Sequence, residues 1–390
     1  MPLGLPRVVI AHNRYRNAGG EDIVAEAEAE LLRRYGHEVL TYGRTNEELE
    51  AIGKGHAAAE AVWSARTVDE IRTVISEFHP DIIHVHNTFP LISPSIFWAA
   101  AAAGVPSIQS LHNFRLLCPQ AMFLRSGRVC EACLGKVPWR AVVHKCYRNS
   151  AAASVIAATM LTTHRSLGTY RAKVTRYIAL NEFCRAKLIA GGLPPDRISV
   201  KPNFVDAPFV RQTARKGGLY VGRLAAEKGV AVLADALRVS PSIDVAVIGV
   251  GNESWRLQAL KNASLMGWQP PEAIYRAMIH AEYLVLPSIW YESFPRTVVE
   301  AFAAGLPVIA SRIGALAEII EDGRTGLLFE PGASADLARK LSWAEANADA
   351  LRRMGDAARA EYDAKYTPEA NYRQLMGIYE KAISVARDQV

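Results

Sequence analysis

Two glutamates stand eight positions apart in the largely apolar stretch YESFPRTVVEAFAAGLPVIAS, residues 291–311. Glu292 comes before a predicted helix whose first turn holds Pro295, and Glu300 lies one turn beyond Arg296. A carboxylate in an apolar unit needs hydrogen-bond donors, and sugar hydroxyls are suitable donors. These spacings predict that Glu292 contacts a sugar and Glu300 the ribose of a nucleotide. The alternative is that both glutamates are exposed or form ion pairs.

Two cations and two glycines follow predicted strands upstream of these glutamates. Arg223 is the next-to-last residue of the strand-like segment GGLYVGRL, and Lys228 follows five residues later, near the start of the next predicted helix. Two fixed cations suit a pyrophosphate, which takes charge-assisted hydrogen bonds. The alternative is a surface pair without a ligand. Gly249 and Gly251 follow another predicted strand and allow either a tight turn or close approach to the backbone.

Short β-rich runs alternate with longer amphipathic runs, and this rhythm restarts about halfway along the chain. Strands that alternate with helices imply parallel sheets with helical crossovers, so two such runs predict two Rossmann-like α/β domains. We assign residues 1–205 to an N-terminal domain, 206–365 to a C-terminal domain and 366–390 to a final helix, with a linker near 203–217. Ligands of open α/β sheets bind at the carboxyl ends of the strands, where the cations and glutamates stand.

The composition is that of a globular protein. Half of the 390 residues are hydrophobic and 22% are charged, which excludes a disordered chain. Residues 1–10 lack the pattern of a signal peptide, and the alanine-rich stretch at 98–103 is shorter than the roughly 20 residues of a membrane span. We therefore expect a cytoplasmic protein, or one held peripherally on the cytoplasmic face of a membrane.

Positive charge is concentrated in one part of the chain. Residues 1–114 hold 9 Lys/Arg against 14 Asp/Glu, whereas residues 115–201 hold 15 against 3. Such a basic block favours an anionic partner such as a membrane surface or a lipid phosphate, and a merely solvated basic face is the alternative. The block has no interleaved aromatic platform and no nucleic-acid-binding motif, so nucleic acid is not the expected partner.

The cysteines cluster in a loop within this basic block, at residues 115–150. Their spacing, C-x11-C-x2-C-x12-C, predicts a structural zinc site of four thiolates, with His144 as a spare ligand. The four predicted ligands are Cys118, Cys130, Cys133 and Cys146. The segment has little secondary-structure pattern, and a metal would explain how it is ordered. Four reduced thiols in a flexible acceptor loop are the alternative, and Cys184 is expected to be a core residue.

The order of the motifs in the second half resembles the family 4 retaining glycosyltransferases, also described as glycosyl transferases group 1. The motifs are GRLAAEKG, VIGVGNE, the segment at 291–311 and EIIEDGRTGLLFEP. The resemblance covers residues 1 to about 365 and is strongest over 217–332. It implies a GT-B fold, in which two Rossmann-like domains face each other across a cleft and the final helix crosses back to the N-terminal domain.

In the C-terminal half, the resemblance implies a site for a nucleotide-diphosphate sugar. Arg223 and Lys228 match the pair that neutralises the diphosphate, and Glu292 and Glu300 match the glutamates at the donor sugar and the ribose. Phe294 matches the aromatic residue after the first glutamate, although the glycines that usually flank it are replaced by serine and proline. Gly249 and Gly251 complete the predicted donor site. Trp268 is expected to pack in the core, with a position beside the base as the alternative.

In the N-terminal half, the resemblance implies two further elements of the site. Gly19 and Gly20, in NAGGEDIV, match the glycine loop that closes over the phosphates. His112, in SLHNF, matches the active-site histidine near the donor sugar, and it joins Glu292 as a predicted catalytic residue.

The implied reaction is the transfer of a glycosyl group to an acceptor hydroxyl with retention of configuration. The chain contains no Asp-x-Asp motif, so we expect catalysis without a metal cofactor, with fixed cations stabilising the leaving diphosphate. The basic block predicts an anionic lipid-linked or glycan acceptor, as in polysaccharide and cell-envelope biosynthesis, and membrane contact through 115–201. The alternatives are an epimerase-like sugar-nucleotide enzyme and a non-catalytic sugar-nucleotide sensor on the same fold.

Overall fold

A computed structural model describes residues 4–16, 19–207 and 215–387. The chain divides into two compact units, and the middle of the predicted linker, 208–214, lies outside the described residues. Unit 1 comprises Met1–Met122, Glu131–Pro202 and Asn371–Val390; unit 2 comprises Phe123–Cys130 and Asn203–Ala370.

The elements of the described residues alternate between strand and helix. The strands are β1 (Val8–Arg14), β2 (Val39–Thr45), β3 (Ile82–Val85), β4 (Ser107–Leu111), β5 (Leu124–Arg125), β6 (Arg128–Val129), β7 (Arg176–Ala179), β8 (Ile198–Val200), β9 (Gly218–Val221), β10 (Val245–Ile248), β11 (Ala263–Gly267), β12 (Tyr283–Leu286), β13 (Val308–Ser311) and β14 (Gly326–Phe329). The α-helices are α1 (Gly20–Arg34), α2 (Lys54–Val62), α3 (Ala65–Phe78), α4 (Ile96–Ala102), α5 (Trp139–Val143), α6 (Ala151–Ser166), α7 (Glu182–Ala190), α8 (Val230–Arg238), α9 (Trp255–Gln258), α10 (Pro271–His280), α11 (Arg296–Ala303), α12 (Gly314–Ile319), α13 (Ser334–Ala346), α14 (Ala348–Lys365) and α15 (Pro368–Arg387). Short 3-10 turns lie at Asn46–Glu50, Pro195–Arg197 and Ala226–Lys228, and a π turn at Thr169–Lys173.

Unit 1 is built on a six-stranded parallel sheet with the order β2-β1-β3-β4-β7-β8. Its central strands are buried on both faces, as the unbroken apolar run VVIA at the start of β1 predicts. The final helix α15 packs on this sheet, since Leu375, Tyr379 and Ala382 share a buried cluster with Val8 and Ile10. The predicted return of the last helix to the N-terminal domain is therefore confirmed.

Unit 2 is built on a second six-stranded parallel sheet, with the order β11-β10-β9-β12-β13-β14. Helix α11 carries the stretch VVEAFA, whose apolar side chains Val298, Ala301 and Phe302 are fully buried against one face of the sheet. A second buried cluster covers the opposite face, where α8 and α13 contribute Leu233 and Leu341. The predicted pair of Rossmann-like α/β domains is thus confirmed.

Both sheets reverse their direction of growth beside a central strand. In unit 1 the reversal lies between β1 and β3, and in unit 2 it lies between β9 and β12. Loops at such a switch point diverge and leave a crevice at the carboxyl ends of the strands, which is where ligands bind in open α/β sheets. The segments after β9 and β12 carry the predicted cations and Glu292, so the topology of unit 2 brings them to the same edge.

The cysteine-rich loop has more regular structure than its sequence indicates. Strands β5 and β6 form an antiparallel hairpin, and helix α5 follows it. The Cys130 N–H donates to the carbonyl oxygen of Phe123 at 2.7 Å, and the Phe123 ring lies 6.3 Å from that of Tyr291. Residues 123–130 accordingly group with unit 2, whereas the predicted boundary at 205 assigned them to the N-terminal domain.

The structure also bears on the predictions for Cys184 and Trp268 and on whether a helix could span a membrane. Cys184 is buried, as expected for a core residue, but Trp268 is 71% exposed, so the expectation that it packs in the core is wrong. Trp268 directly follows the edge strand β11, which has a neighbouring strand on one side only. None of the helices in the described part of the chain is long and apolar enough to cross a membrane.

Candidate active site

Lys228 and Glu292 meet at the carboxyl edge of the second sheet. The Lys228 Nζ lies 2.6 Å from Oε1 of Glu292, although the two residues are far apart in sequence. The same oxygen accepts hydrogen bonds from Ser288 Oγ at 2.8 Å and from Trp290 Nε1 at 3.2 Å. Because the Glu292 side chain is only 9% exposed, these donors replace water and hold the carboxylate in one orientation. An ion pair was one of the alternatives that the sequence allowed for Glu292, and the structure contains it.

Arg223 lies on the same loop but points to a different partner. Its Nη2 is 2.6 Å from Oε1 of Glu227, and its side chain is mostly exposed. The loop itself is anchored, since the hydroxyl of Tyr220 donates to the Arg223 carbonyl oxygen at 2.8 Å and the N–H of Ile289 donates to the Glu227 carbonyl oxygen at 3.0 Å. An exposed guanidinium on a fixed loop can turn toward an anion at little cost.

Glu300 and Arg296 form an ion pair within the first turns of α11. Their side chains are joined by the Arg296 Nε and Glu300 Oε1 at 2.8 Å, and both are about three-quarters buried. Pro295 is the N-cap residue of this helix, one position before the first turn in which it was predicted. Phe294 is half-buried with its ring 6.2 Å from that of Tyr366, so it packs on the interior of unit 2. Their roles toward a nucleotide remain predictions.

The two glycines after β10 allow neighbouring loops to approach closely. Gly249 has a φ of +138°, and a Cβ atom on it would lie 1.9 Å from the carbonyl oxygen of Gly222. A Cβ atom on Gly251 would lie 2.2 Å from the carbonyl oxygen of Leu224. The need for glycine at both positions thus follows from packing against the loop after β9, the loop that carries Arg223. This packing holds in place the loop that carries Arg223, one of the two residues predicted to bind the diphosphate.

Gly19 and Gly20 open helix α1 at the carboxyl edge of the first sheet. Gly19 caps the helix, and its N–H donates to Oδ2 of Asp22 at 2.7 Å. The other oxygen of Asp22 lies 2.8 Å from Nε2 of His12, which stands on β1. A Cβ atom on Gly20 would meet no described atom within 4 Å, so the described part of the chain leaves room for a ligand beside this backbone. The preceding residues 17–18 lie outside the described residues.

His112 stands directly after β4 and is buried. Its Nε2 lies 2.8 Å from Nδ1 of His86, and the two rings stack with their centroids 5.1 Å apart. Burial lowers the pKa of His112 from 6.5 to about 3, so the imidazole is neutral at physiological pH. The predicted active-site histidine is thus part of a larger group of buried polar side chains.

That group was not predicted from the sequence. Glu28 on α1 forms a buried ion pair with Lys201, which follows β8, and lies 3.4 Å from Nε2 of His86. His84 stacks on His86 at 4.5 Å. Two signals were available. His84 on β3 and His86 directly after it are two positions apart, a spacing that puts both side chains on one face of an extended segment, and Glu28 occupies an apolar stripe of α1 between Ala25 and Leu32.

Metal ligation can be tested against the same coordinates. Among the described residues, the group of His, Cys, Asp and Glu side chains whose ligand atoms lie within 4.8 Å of one another is Glu28, His84 and His86. The Lys201 ammonium already pairs with Glu28, so a divalent cation there would face a neighbouring positive charge. The cysteines are not in this group; Cys118 and Cys133 are buried, and the predicted zinc site remains a prediction.

Two parallel α/β sheets, with cations and carboxylates at the carboxyl edge of the second, define a protein with the GT-B fold. Solved structures of this kind superpose on nearly the whole chain. HepE from Anabaena in complex with UDP and glucose matches with a TM-score of 0.67 and 16% identity, covering 95% of this chain and 98% of that one. A glycosyltransferase from Rickettsia africae matches with a TM-score of 0.70 and 16% identity, covering 97% and 99%.

Sequence comparison gives the family. Residues 18–208 match the family described as Glycosyltransferase Family 4, and residues 209–361 match Glycosyl transferases group 1. The chain belongs to this family of glycosyltransferases. It is 33% identical over 201 residues to a phosphatidyl-myo-inositol mannosyltransferase of Mycobacterium leprae, covering 49% of this chain and 52% of the relative. It is 30% identical over 229 residues to the amylovoran biosynthesis glycosyltransferase AmsK of Erwinia amylovora, covering 52% and 56%. The chain thus spans about half the length of the curated relatives it matches.

Proposed function

We propose that this protein transfers a glycosyl group from a nucleotide-diphosphate sugar to an acceptor hydroxyl with retention of configuration. The observation that carries the proposal is the Lys228–Glu292 pair at the switch point of the second sheet, 2.6 Å from nitrogen to oxygen. An ammonium has three donors, so Lys228 can bind Glu292 and still donate to a phosphate oxygen. Glu292, held by its donors, contacts the donor sugar.

In the proposed reaction the bond between the anomeric carbon and the diphosphate oxygen breaks, and the acceptor oxygen bonds to the same carbon. The diphosphate leaves with the bonding electrons and takes up the proton of the acceptor hydroxyl. Arg223 and Lys228 stabilise the negative charge that develops on it, which fixed cations do without a metal cofactor. Glu300 accepts from the ribose hydroxyls, and the N-terminus of α11 adds its positive partial charge.

The donor nucleotide is proposed from the fold relatives. HepE has been crystallised with UDP and with UDP-glucose, so a uridine diphosphate sugar is the first donor to examine. The acceptor is proposed from the sequence relatives, which are described as acting on phosphatidyl-myo-inositol and in amylovoran biosynthesis. A lipid-linked or polysaccharide acceptor on the cytoplasmic face of the cell envelope fits the basic block at 115–201.

The test combines nucleotide binding with product analysis. Melting temperatures are measured with UDP, GDP and ADP and their sugars, for the wild type and for Glu300→Ala. Asp363→Ala is the matched control, because it removes the acid of another i,i+4 ion pair in unit 2, with Arg359. One nucleotide should stabilise the wild type and the control but not Glu300→Ala. Failure of every nucleotide to bind would refute the proposal, and an epimerised sugar without transfer would favour the epimerase-like alternative.

A surface in the basic block suits the proposed contact with a membrane. Around α5, the side chains of Val137, Trp139 and Val143 are 63%, 59% and 63% exposed. Arg140 lies beside them with its guanidinium 5.6 Å from the Trp139 ring. Exposed aromatic and aliphatic side chains next to cations are typical of segments that lie in the interface of anionic membranes.

Vesicle sedimentation tests this contact. Binding to phosphatidylglycerol vesicles should exceed binding to phosphatidylcholine vesicles and should weaken with salt. Trp139→Ser should reduce it several-fold. Trp255→Ser is the matched control, because Trp255 is 58% exposed in unit 2 and also lies beside an arginine. Equal loss in both variants, or no preference for the anionic lipid, would rule out this surface as the membrane contact.

A further inference from the structure

A continuous line of polar contacts runs through the interior of unit 1 from Lys201 to His112. Lys201 pairs with Oε1 of Glu28, and Oε2 of Glu28 lies 3.4 Å from Nε2 of His86. His86 then contacts His112 at 2.8 Å through its Nδ1. All four residues are buried, and they come from α1 and the segments after β3, β4 and β8. The line ends at the histidine that the family resemblance assigns to the active site.

The charges of Lys201 and Glu28 determine which ring nitrogen of His86 carries a proton. Burial by itself would raise the pKa of Glu28, but the Lys201 ammonium opposes it most strongly and the pKa is lowered, so Glu28 is ionised. An ionised carboxylate only accepts hydrogen bonds. Glu28 Oε2 and His86 Nε2 face each other at 3.4 Å, and among the described residues neither atom has a hydrogen-bond partner of good geometry, their own contact included. The repulsion between the carboxylate and a ring lone pair is avoided only when His86 carries its proton on Nε2.

This proton position dictates the next one. Burial lowers the pKa of His86 well below 6.5, so the ring is neutral and carries a single proton. With that proton on Nε2, Nδ1 of His86 is an acceptor. Nε2 of His112, 2.8 Å away, must therefore be the donor. A neutral His112 with its proton on Nε2 presents a lone pair at Nδ1.

We propose that Glu28 and His86 are positioning residues that fix the tautomer of His112, with the proton on Nε2 and the acceptor lone pair on Nδ1. The inference deepens the proposed function and rests on it, because it gives His112, the residue that the family resemblance places near the donor sugar, a hydrogen-bond acceptor at Nδ1. Lys201 keeps Glu28 ionised, and Asn371 on α15 steadies Lys201 through a contact of 3.2 Å between Oδ1 and Nζ.

The alternative to this proton arrangement is a metal ion bound at Glu28, and the contacts of His84 argue against it. Nδ1 of His84 lies 2.9 Å from the hydroxyl of Tyr379, and its Nε2 lies 2.8 Å from Oγ of Ser110. Both ring nitrogens are therefore engaged by hydroxyls, and the Lys201 ammonium is engaged with the carboxylate. A bound metal would require an unprotonated Nε2 on His86, which the proposal excludes, so one spectrum distinguishes the two arrangements.

The experiment is a long-range proton–nitrogen NMR correlation on the full-length protein labelled with ¹⁵N-histidine, at pH 7.5 and without ligand. Protonated and unprotonated ring nitrogens have well-separated shifts, and His86→Asn and His112→Asn assign the signals. The expected spectrum has protonated Nε2 and unprotonated Nδ1 in both rings. A proton on Nδ1 of His112, or an unprotonated Nε2 of His86, overturns the proposal. Because no nucleotide is present, this result is independent of the binding test of the proposed function.

A paired variant tests the role of Glu28. Glu28→Gln combined with Lys201→Met removes the carboxylate without leaving a buried unpaired charge. The single tautomer of His112 should give way to a mixture, and the KM for the donor should rise several-fold. The control is Glu60→Gln with Arg44→Met, which removes another buried ion pair of unit 1. An unchanged His112 spectrum in the Glu28 variant refutes the positioning role, and the wild-type spectrum decides the tautomer even if that variant does not fold.

Discussion

Buried neutral histidines make unit 1 sensitive to mild acid. Burial lowers the pKa of His84 from 6.5 to about 4 and that of His112 from 6.5 to about 3. Between pH 6.5 and these values, the two imidazoles bind protons in the unfolded chain but stay unprotonated in the folded chain. The free energy of unfolding is therefore highest above pH 6.5 and falls as the pH falls.

The size of this effect follows from the shifts. One pKa unit corresponds to about 1.4 kcal/mol, and pH 4.5 lies about two units below the ordinary histidine value, so each ring costs about 3 kcal/mol at that pH. The two rings together remove between about 5 and 6 kcal/mol, a large part of the roughly 5–15 kcal/mol that holds a typical domain folded. Glu28, whose pKa is lowered, adds its own loss only below its ordinary value of 4.5.

Urea unfolding followed by tryptophan fluorescence at pH 7.5, 6.5, 5.5 and 4.5 measures the effect. His84→Gln should flatten the dependence by about one proton, or about 1.4 kcal/mol per pH unit, whatever its absolute stability. His79→Asn is the matched control, because His79 is exposed at the end of α3 in a left-handed conformation that asparagine tolerates. Equal slopes for the wild type and His84→Gln would refute the assignment of His84 as a neutral buried base.

Four other outcomes are expected. Lys228→Met leaves the buried carboxylate of Glu292 without its cation, so the melting temperature should fall and nucleotide binding should be lost; a nucleotide affinity equal to that of the wild type would contradict the role of Lys228. Gly251→Ala drives a Cβ atom against the Leu224 carbonyl and should destabilise unit 2 by roughly 1–3 kcal/mol in urea, whereas Gly20→Ala should fold normally and weaken donor binding alone. Purified protein should release one zinc per chain when the four clustered cysteines are titrated with a mercurial reagent, and a metal-free protein with the same melting temperature would count against the zinc site.

Much of the architecture could be predicted from local sequence patterns. Acidic residues in the first turn, arginines in the last and Gly36 after them predicted the helix found at Gly20–Arg34. Apolar runs predicted the central strands of both sheets. Three strands of the two parallel sheets were not predicted, and all three lie at the edges of their sheets: Ile198–Val200, Ala263–Gly267 and Gly326–Phe329. An edge strand has a neighbour on one side only, and Ala263–Gly267 accordingly has no buried residue, which weakens its apolar signal.

The residues of the candidate site could be predicted from the sequence, but the contacts between them could not. Arg223, Lys228 and Glu292 were identified as candidates by the resemblance and by their positions after strands, because strand ends in an open α/β sheet converge on one edge. Glu300 was identified by the resemblance and by its position one turn beyond Arg296. Which of them touch was decided by packing: Lys228 pairs with Glu292, while Glu300 pairs within its own helix with Arg296.

The line of contacts from Lys201 to His112 is a product of tertiary structure. Glu28 and Lys201 are 173 positions apart, and nothing in the sequence near either residue indicates the other. Helix and strand patterns arise from residues a few positions apart, so sequence by itself determined the two sheets, their helices and the identity of the strand-end candidates. The pairing of buried charges depends on which faces of distant elements meet when the sheet assembles, and only the folded chain sets the protonation of His112.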